Sequence, residues 1–182
     1  VMYDAALHFA KMAQKPEFDL PEKFGLVIIH RAENTDDINR LKSIVSGLNQ
    51  IAETTPLVFT VHPRTKKIFE QQNFTFNKNI RLIPPVGYLE MVYLLQNSSF
   101  VMTDSGGLQK EAYFFAKPCI TMRDETEWVE LVENGFNTIV GSDTQKIVEA
   151  FGLLKNQNAD YSIKLYGNGD ASRIIINTIQ KI

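Results

Sequence analysis

The sequence has little cysteine, no excess of basic charge and no long apolar run, and each shortage excludes a class of protein. A single cysteine, Cys119, forms neither an internal disulfide nor a cysteine metal cluster, which favours a reducing compartment. The 19 Lys and Arg residues are outnumbered by 21 Asp and Glu residues, so no strong positive field exists for nucleic acid. The longest apolar runs, such as LVII at residues 26–29, are far shorter than the roughly 20 residues of a membrane span, and no secretory signal is present. We therefore expect a cytoplasmic protein that binds neither nucleic acid nor a membrane.

The composition that is present is typical of one ordinary folded domain. The chain has 182 residues, of which 44% are apolar, with 10 glycines and 7 prolines, and this excludes a disordered protein. The chain starts with Val1 and a helical pattern begins at once, so we expect a piece of a longer protein. Two prolines then mark a linker. We assign residues 1–23 to a leading helix and linker and residues 24–182 to the main domain.

From Phe24 onward, short continuous apolar runs alternate with longer amphipathic segments, as in βαβ units that build a parallel sheet. Apolar residues spaced three or four apart predict a helix over residues 36–53, with Thr35 as its cap. We predict an α/β fold, a Rossmann-like doubly wound parallel sheet of about six strands, with ligands bound beyond the carboxyl ends of the strands. The predicted strands are 24–29, 57–61, 80–83, 100–103, 119–122 and 137–140, and further helices are predicted at about 65–72, 88–97, 107–116, 126–134, 143–154 and 171–181.

Polar residues follow these strands, and the most informative segment is TDSGGLQKEA at residues 103–112. Gly106 and Gly107 allow the backbone to approach a ligand closely, and the free N–H groups of the following helix favour a phosphate. Ser105 adds a hydroxyl, and Glu111 on the second turn is placed to accept hydrogen bonds from a ribose. Alternatively, the two glycines only shape a tight connection between strand and helix.

The charged residues at other strand ends each have two interpretations. His30 titrates near neutral pH and is suited to proton transfer, or it joins a polar network that orders its loop. Arg123 binds a diphosphate, or it forms internal salt bridges with Asp124 and Glu127.

The aromatic and remaining histidine candidates are equally open. Tyr88 and Met91 lie against a base or sugar, or they belong to the core. His62 is interpreted first as the residue that ends the second strand. No metal-ligand motif is present, and HRAEN in place of a GxGxxG turn after the first strand disfavours a dinucleotide.

Taken in order, the motifs HRAEN, HP, TDSGGLQKEA with KP, MRDETE and YGNGDAS closely resemble the non-hydrolysing UDP-N-acetylglucosamine 2-epimerase family. The resemblance implies one half of a GT-B (two-domain, glycosyltransferase-like) architecture, with the active site between the halves. The implied reaction converts UDP-GlcNAc to UDP-ManNAc by elimination and re-addition of UDP, with neither NAD nor a metal as cofactor. The carboxylates that act at C2 are implied to lie on an upstream domain, so this piece alone is expected to be inactive. The intact enzyme is expected to be a homodimer.

The resemblance also assigns roles to residues. His30 is implied to assist departure and return of UDP, the 105–107 turn to hold the diphosphate, Glu111 the ribose and the 86–91 loop the uracil. Arg31 and His62 are implied to be regulatory contacts for a second UDP-GlcNAc. The full predicted substrate-binding set is Val86, Tyr88, Met91, Ser105, Gly106, Gly107, Glu111, Arg123 and Glu127.

Three positions depart from the family pattern. Trp128 stands where the family commonly has arginine, Met91 where an aromatic is frequent, and Lys110 where glutamate is frequent. We expect Lys110 to alter only the surface. Because a lost arginine removes a substrate contact, a UDP-diacetamido uronic acid is an alternative substrate. A GT-B glycosyltransferase donor domain and a non-catalytic nucleotide-sugar sensor are the alternative functions.

Overall fold

The computed structural model describes residues 1–154 and 159–181, and a parallel sheet lies at its centre. The strand order is β3-β2-β1-β4-β5-β6, so the predicted Rossmann-like, doubly wound sheet is confirmed. The strands are β1 Gly25–Ile28, β2 Leu57–Thr60, β3 Ile80–Ile83, β4 Phe100–Thr103, β5 Cys119–Thr121 and β6 Asn137–Ile139. Several are a residue or two shorter than predicted, because the apolar runs continue as buried connecting residues such as Ile29 and Met122.

The helices follow the predicted segments, with one error at the start of the second long helix. They are α1 Met2–Ala10, α2 Ala32–Thr35, α3 Ile38–Ile51, α4 Pro63–Gln71, α5 Tyr88–Asn97, α6 Gly106–Phe114, α7 Val129–Glu133, α8 Thr144–Leu154 and α9 Ala171–Ile179. Thr35 is the last residue of α2, so its prediction as the cap of α3 is wrong. Asp37 is the cap, because its carboxylate accepts hydrogen bonds from the backbone of Asn39 at 2.9 Å and of Arg40 at 3.3 Å. None of the helices in the described ranges is long and apolar enough to cross a membrane.

Helices cover both faces of the sheet, which explains why its strands are continuous apolar runs. Successive residues of β1 belong to two separate cores. Val27 is fully buried in the cluster that contains Leu48 of α3 and Ile147 of α8. Leu26 is fully buried in the cluster that contains Leu95 of α5 and Ala112 of α6.

The leading helix α1 packs against α5 and α6. The ring of Tyr3 lies 4.9 Å from that of Phe114, and the ring of Phe9 lies edge-on to Tyr88 at 5.4 Å, measured between ring centroids. Helix α1 therefore packs directly against the ring of Tyr88 through Phe9.

The strand order creates a switch point between β1 and β4. After β1 the chain runs outward through β2 to β3 and then returns to place β4 on the other side of β1, where Ile28 pairs with Thr103. Open α/β sheets bind ligands at such a point, in the crevice beyond the carboxyl ends of the strands. The residues that follow β1 and β4 are HRAEN and DSGG, and the fold brings these two motifs side by side.

Candidate nucleotide site at the switch point

The carboxylate of Asp104 lies at the centre of the switch point, fully buried beneath His30. The Nδ1 atom of His30 is 3.1 Å from Oδ1 of Asp104. The backbone amides of His30 and Arg31 donate to the same carboxylate at 3.0 to 3.2 Å, and the side-chain amide of Asn34 donates at 3.1 Å. A buried charge is tolerated only when it is hydrogen-bonded in this way. Asp104 therefore orients the His30 ring and orders the HRAEN loop.

These contacts shift the pKa of both groups. Burial alone raises the pKa of Asp104, but the hydrogen bonds from His30, Asn34 and the two backbone amides outweigh it and hold the pKa below its ordinary value. The hydrogen bond to Asp104 raises the pKa of His30 above its ordinary value of 6.5, against the opposing effect of partial burial. The His30 side chain is 50% exposed, and no described residue bonds its Nε2 atom. The hydrogen bond to Asp104 therefore favours the protonated form of the ring, and the Nε2 atom faces no described partner.

The sequence interpretation did not single out Asp104 as a member of the candidate site. The available signal is its place in TDSGG, directly after the central strand β4, where a carboxylate faces the switch point. The contacts agree with the interpretation of His30 as a member of a loop-ordering network, and its role in proton transfer stays a prediction. Asn34 completes that network by donating to the carbonyl of Met122 at 2.8 Å.

Helix α6 begins at Gly106, two residues after Asp104, with unpaired backbone amides. The Ser105 hydroxyl caps the helix by accepting from the amide of Leu108 at 3.4 Å, so this oxygen is partly engaged. Within the described ranges, the amides of Gly106 and Gly107 have no hydrogen-bond acceptor, and Gly107 is exposed. The positive end of the helix dipole adds to these donors. The turn therefore has the geometry of an anion site.

A carboxylate of the chain itself already lies against this turn. A Cβ atom on Gly106 would stand 2.1 Å from Oε1 of Glu127, so only glycine permits this approach. Arg123 donates to Oε2 of Glu127 at 2.5 Å, which agrees with the salt-bridge interpretation for this pair. Asp124 pairs instead with Arg40 at 3.0 Å, so its predicted bridge to Arg123 is wrong.

The charges of this pair are well defined. Burial raises the pKa of Glu127, but hydrogen bonds from its own backbone amide and from the Arg123 guanidinium lower the pKa by more. The pKa of Glu127 therefore lies below its ordinary value. Arg123 is only 7% exposed, and its Nε atom has no partner among the described residues. A buried guanidinium N–H without an acceptor is one donor that a bound phosphate can satisfy.

The predicted ribose and uracil contacts meet at the start of α5. The hydroxyl of Tyr88 donates to Oε1 of Glu111 at 3.0 Å, although 23 residues separate them. Burial and the nearby Glu111 charge raise the pKa of Tyr88 to about 12, so the phenol stays protonated. Burial also raises the pKa of Glu111, which the Tyr88 hydroxyl partly offsets. Val86 and Met91 are partly buried against the core that contains Leu95.

The two predicted regulatory residues have local roles in this structure. Nδ1 of His62 accepts from the backbone amide of Arg64 at 3.3 Å, so His62 caps α4 rather than only ending β2. Arg31 lies 3.9 Å from the carboxylate of Glu33 and is partly exposed. Their regulatory role stays a prediction.

Neither the cysteine nor a side-chain cluster suggests a metal centre. Cys119 is buried at the start of β5, and burial raises the pKa of its thiol to about 12. In residues 1–154 and 159–181, no group of three or more His, Cys, Asp or Glu side chains is placed to hold a metal ion.

Comparison with known proteins identifies the family. The sequence model described as UDP-N-acetylglucosamine 2-epimerase matches residues 1–180. The chain belongs to this family.

Relatives of the epimerase chain include proteins with two named substrates. The UDP-2,3-diacetamido-2,3-dideoxy-D-glucuronate 2-epimerase of Pseudomonas aeruginosa is 47% identical over 185 residues, which cover 100% of this chain and 51% of the relative. The UDP-N-acetylglucosamine 2-epimerase of Methanocaldococcus jannaschii is 38% identical over 190 residues, which cover 97% of this chain and 52% of the relative. The chain thus spans about half the length of the curated relatives it matches.

Solved structures show the same fold. The M. jannaschii UDP-GlcNAc 2-epimerase in complex with UDP-GlcNAc and UDP superposes with a TM-score of 0.88 at 37% identity, over 100% of this chain and 53% of that one. The Neisseria meningitidis enzyme bound to UDP-GlcNAc gives 0.79 at 33% identity, over 99% and 53%. A glycosyltransferase at 13% identity and a TM-score of 0.58 shares the fold alone. The epimerase chain therefore has the Rossmann-like fold found in GT-B epimerases and glycosyltransferases.

One expectation from the family pattern is wrong. Lys110 does more than alter the surface of the epimerase chain, because its ammonium lies 4.2 Å from the ring centroid of Trp128 and 4.1 Å from that of Tyr166. Two of the three departures from the family pattern, Lys110 and Trp128, are thus in direct contact.

Proposed function

We propose that this chain is the UDP-binding half of a 2-epimerase that inverts C2 of a UDP-linked 2-acetamido sugar, converting UDP-GlcNAc to UDP-ManNAc. The observation that carries the proposal is the shared location of three groups at the switch point. They are the unpaired amides of Gly106 and Gly107, the half-exposed ring of His30, and the buried carboxylate of Asp104, which bonds His30 and lies two residues before Gly106.

The diphosphate is proposed to bind at the 105–107 turn. The two free amides and the dipole of α6 favour its negative charge, and the Nε2–H of His30 adds a charged donor beside them. Glu127 has the same sign of charge as the diphosphate, so it moves away from Gly106 when UDP binds. This movement releases Arg123, whose guanidinium is then free to pair with a phosphate oxygen.

The nucleoside is proposed to lie along α6. Glu111 follows Gly107 by one helical turn, about 6 Å along the axis, which suits the separation of a ribose from its diphosphate. The Glu111 carboxylate accepts hydrogen bonds from ribose hydroxyls, while Tyr88 holds it in place. The uracil borders the 86–91 loop, with Val86 and Met91 as apolar contacts.

His30 is proposed to act on the leaving group. When the C1–O bond breaks, negative charge develops on the diphosphate, and the imidazolium stabilises it through the Nε2–H bond. The proton on C2 passes to a base on the part of the enzyme outside this chain, which gives a 2-acetamidoglucal. UDP then adds back to C1 while a proton returns to C2 from the opposite face, and the overall reaction is an isomerisation.

A second substrate is favoured by a specific observation. The relative with 47% identity is named for UDP-2,3-diacetamido-2,3-dideoxy-D-glucuronate, and Trp128 stands where the family commonly has arginine. We therefore propose this uronic acid nucleotide as the alternative substrate. Assays of epimerisation with it and with UDP-GlcNAc distinguish the two.

Titration of the chain with UDP tests the binding site. We expect backbone amide shifts at residues 104–111 and 86–91, with a dissociation constant of roughly millimolar, since half of the cleft supplies about −4 kcal/mol. Uridine without phosphate is the control, and it should leave the 105–107 amides unchanged. Amides at 104–111 that do not respond to millimolar UDP contradict the proposal.

Hydrogen exchange at C2 tests the reaction. In deuterated water, the purified 182-residue chain should exchange no C2 hydrogen of either nucleotide sugar, because the base lies elsewhere. The same chain supplied with the remaining half of a two-domain epimerase should exchange it, whereas a glycosyltransferase should not. Exchange by the chain alone contradicts the proposed division of labour.

A further inference from the structure

Trp128, the only tryptophan of the chain, is bound to the first turn of α6. Its indole N–H donates to the carbonyl oxygen of Gly106 at 2.8 Å. The same Nε1 atom lies 3.4 Å from the position that a Cβ on Gly106 would occupy. The indole therefore lies beside the turn whose amides form the proposed anion site.

Lys110 fixes the other side of the indole. Its ammonium lies 4.2 Å from the ring centroid of Trp128 and 4.1 Å from that of Tyr166, and these two rings stand at 90° to each other. Such distances are within the range in which a cation is attracted by the face of an aromatic ring. In residues 1–154 and 159–181, no carboxylate forms an ion pair with Lys110, so the contacts of its ammonium are with the faces of these two rings.

The indole belongs to the segment that carries the charged residues of the site. This segment, residues 123–128, is called the RDETEW loop below. The loop is tied to α6 at a second point, because the hydroxyl of Thr126 donates to Oε1 of the fully buried Gln109 at 2.6 Å. The backbone amide of Trp128 donates to the same hydroxyl at 3.2 Å. Glu127 lies between these two anchors, with its carboxylate against Gly106.

We propose that Lys110 is a positioning residue that holds Trp128, and through it the RDETEW loop, against the first turn of α6. This contact sets where Arg123 meets the diphosphate and where Glu127 lies before UDP binds. The effect on nucleotide binding rests on the proposed function, whereas the anchoring of the loop does not. Lys110 itself faces the two rings and not the diphosphate, so its influence on UDP is transmitted by the loop.

The single tryptophan allows a direct test by fluorescence. Lys110→Met removes the ammonium and keeps the unbranched chain, and Lys110→Arg keeps a cation that also stacks on rings. Lys67→Met is the matched control, since Lys67 is exposed on α4 and forms no ion pair with any residue that the structure describes. Quenching by acrylamide reports the exposure of Trp128, and because acrylamide is uncharged the loss of the lysine charge does not bias it.

We expect Lys110→Met to raise the acrylamide quenching constant about two-fold and the UDP dissociation constant about three- to ten-fold, as the loss of its cation–aromatic contacts with the two rings allows. Lys110→Arg and Lys67→Met should match the parent chain in both measurements. If Lys110→Met does not fold, as judged by circular dichroism, Lys110→Gln replaces it.

Each result decides one part of the proposal. Unchanged quenching in Lys110→Met overturns the anchoring, whatever happens to UDP. Raised quenching with unchanged UDP affinity overturns the positioning role. If the parent chain binds no UDP, the proposed function fails, and the quenching comparison still decides whether Lys110 anchors the loop.

Discussion

Replacement of Asp104 by asparagine is expected to lower the free energy of unfolding by about 2–4 kcal/mol, because donors arranged for a buried carboxylate lose a charged acceptor. The two backbone amides and the Asn34 amide keep their positions, while the new NH2 group brings a donor against them. Urea denaturation at a fixed pH measures the loss. The variant retains the shape of the side chain, so the change reports charge and hydrogen bonding rather than a cavity.

The same variant should change the pH dependence of stability. The folded-state pKa of His30 lies above its ordinary value of 6.5, so its contribution is complete below 6.5 and is lost as the pH rises through the folded pKa. The folded-state pKa of Asp104 lies below its ordinary value of 3.8, so its contribution is present above that value and is lost as the pH falls. The free energy of unfolding of the parent chain should therefore exceed that of the variant most between about pH 4 and 6.5. The pKa of His30, followed by NMR, should fall in the variant.

Asp124→Asn is the matched control for this experiment. The Asp124 side chain is 69% exposed and pairs with Arg40 at the surface, so its loss should cost less than about 1 kcal/mol and leave the His30 pKa unchanged. An Asp104→Asn chain as stable as this control, with the His30 pKa unmoved, would show that the buried carboxylate does not govern His30.

Replacement of Glu111 by alanine is expected to weaken UDP binding by about 1–3 kcal/mol, the range of a hydrogen bond to a charged group. The carboxylate is partly buried beside α5, and its proposed partners are the ribose hydroxyls. Calorimetry or the amide-shift titration measures the change in affinity. Because burial raises the pKa of Glu111, UDP affinity in the parent chain should also fall as the pH drops through that raised value.

Tyr88→Phe separates the ribose contact from the local structure. It removes the hydroxyl that donates to Glu111 and leaves the ring that lies against Phe9. We expect a smaller loss of affinity than for Glu111→Ala, since the carboxylate remains. If the Glu111→Ala and parent chains bind UDP with equal affinity, Glu111 does not contact the nucleotide.

Several parts of the site were predictable from local sequence because they depend on neighbours in the chain. The unpaired amides follow from a strand, two glycines and a helix in succession, and that pattern lies within TDSGGLQKEA. Asp37 shows the limit of the same approach. Threonine and aspartate are both residue types that cap helices, and the choice between Thr35 and Asp37 depended on the short helix α2, which has no apolar periodicity to predict it.

Contacts between distant residues were not predictable in this way. The Lys110 contact with Trp128 and Tyr166 was missed because a lysine on a helix surface normally faces solvent, and only packing reveals the rings. Likewise, the approach of Glu127 to Gly106 gives the glycine a role that the sequence could not distinguish from that of a simple turn.

The sequence by itself determined the class of fold, the order of strands and helices, and the family, because apolar periodicity and motif spacing are properties of the linear chain. Only the tertiary structure decided which polar groups work together. Residues 74 positions apart, His30 and Asp104, meet because β4 returns to lie beside β1. That adjacency buries the Asp104 carboxylate under the His30 imidazole and raises the pKa of the imidazole, and no local pattern in either segment encodes the contact.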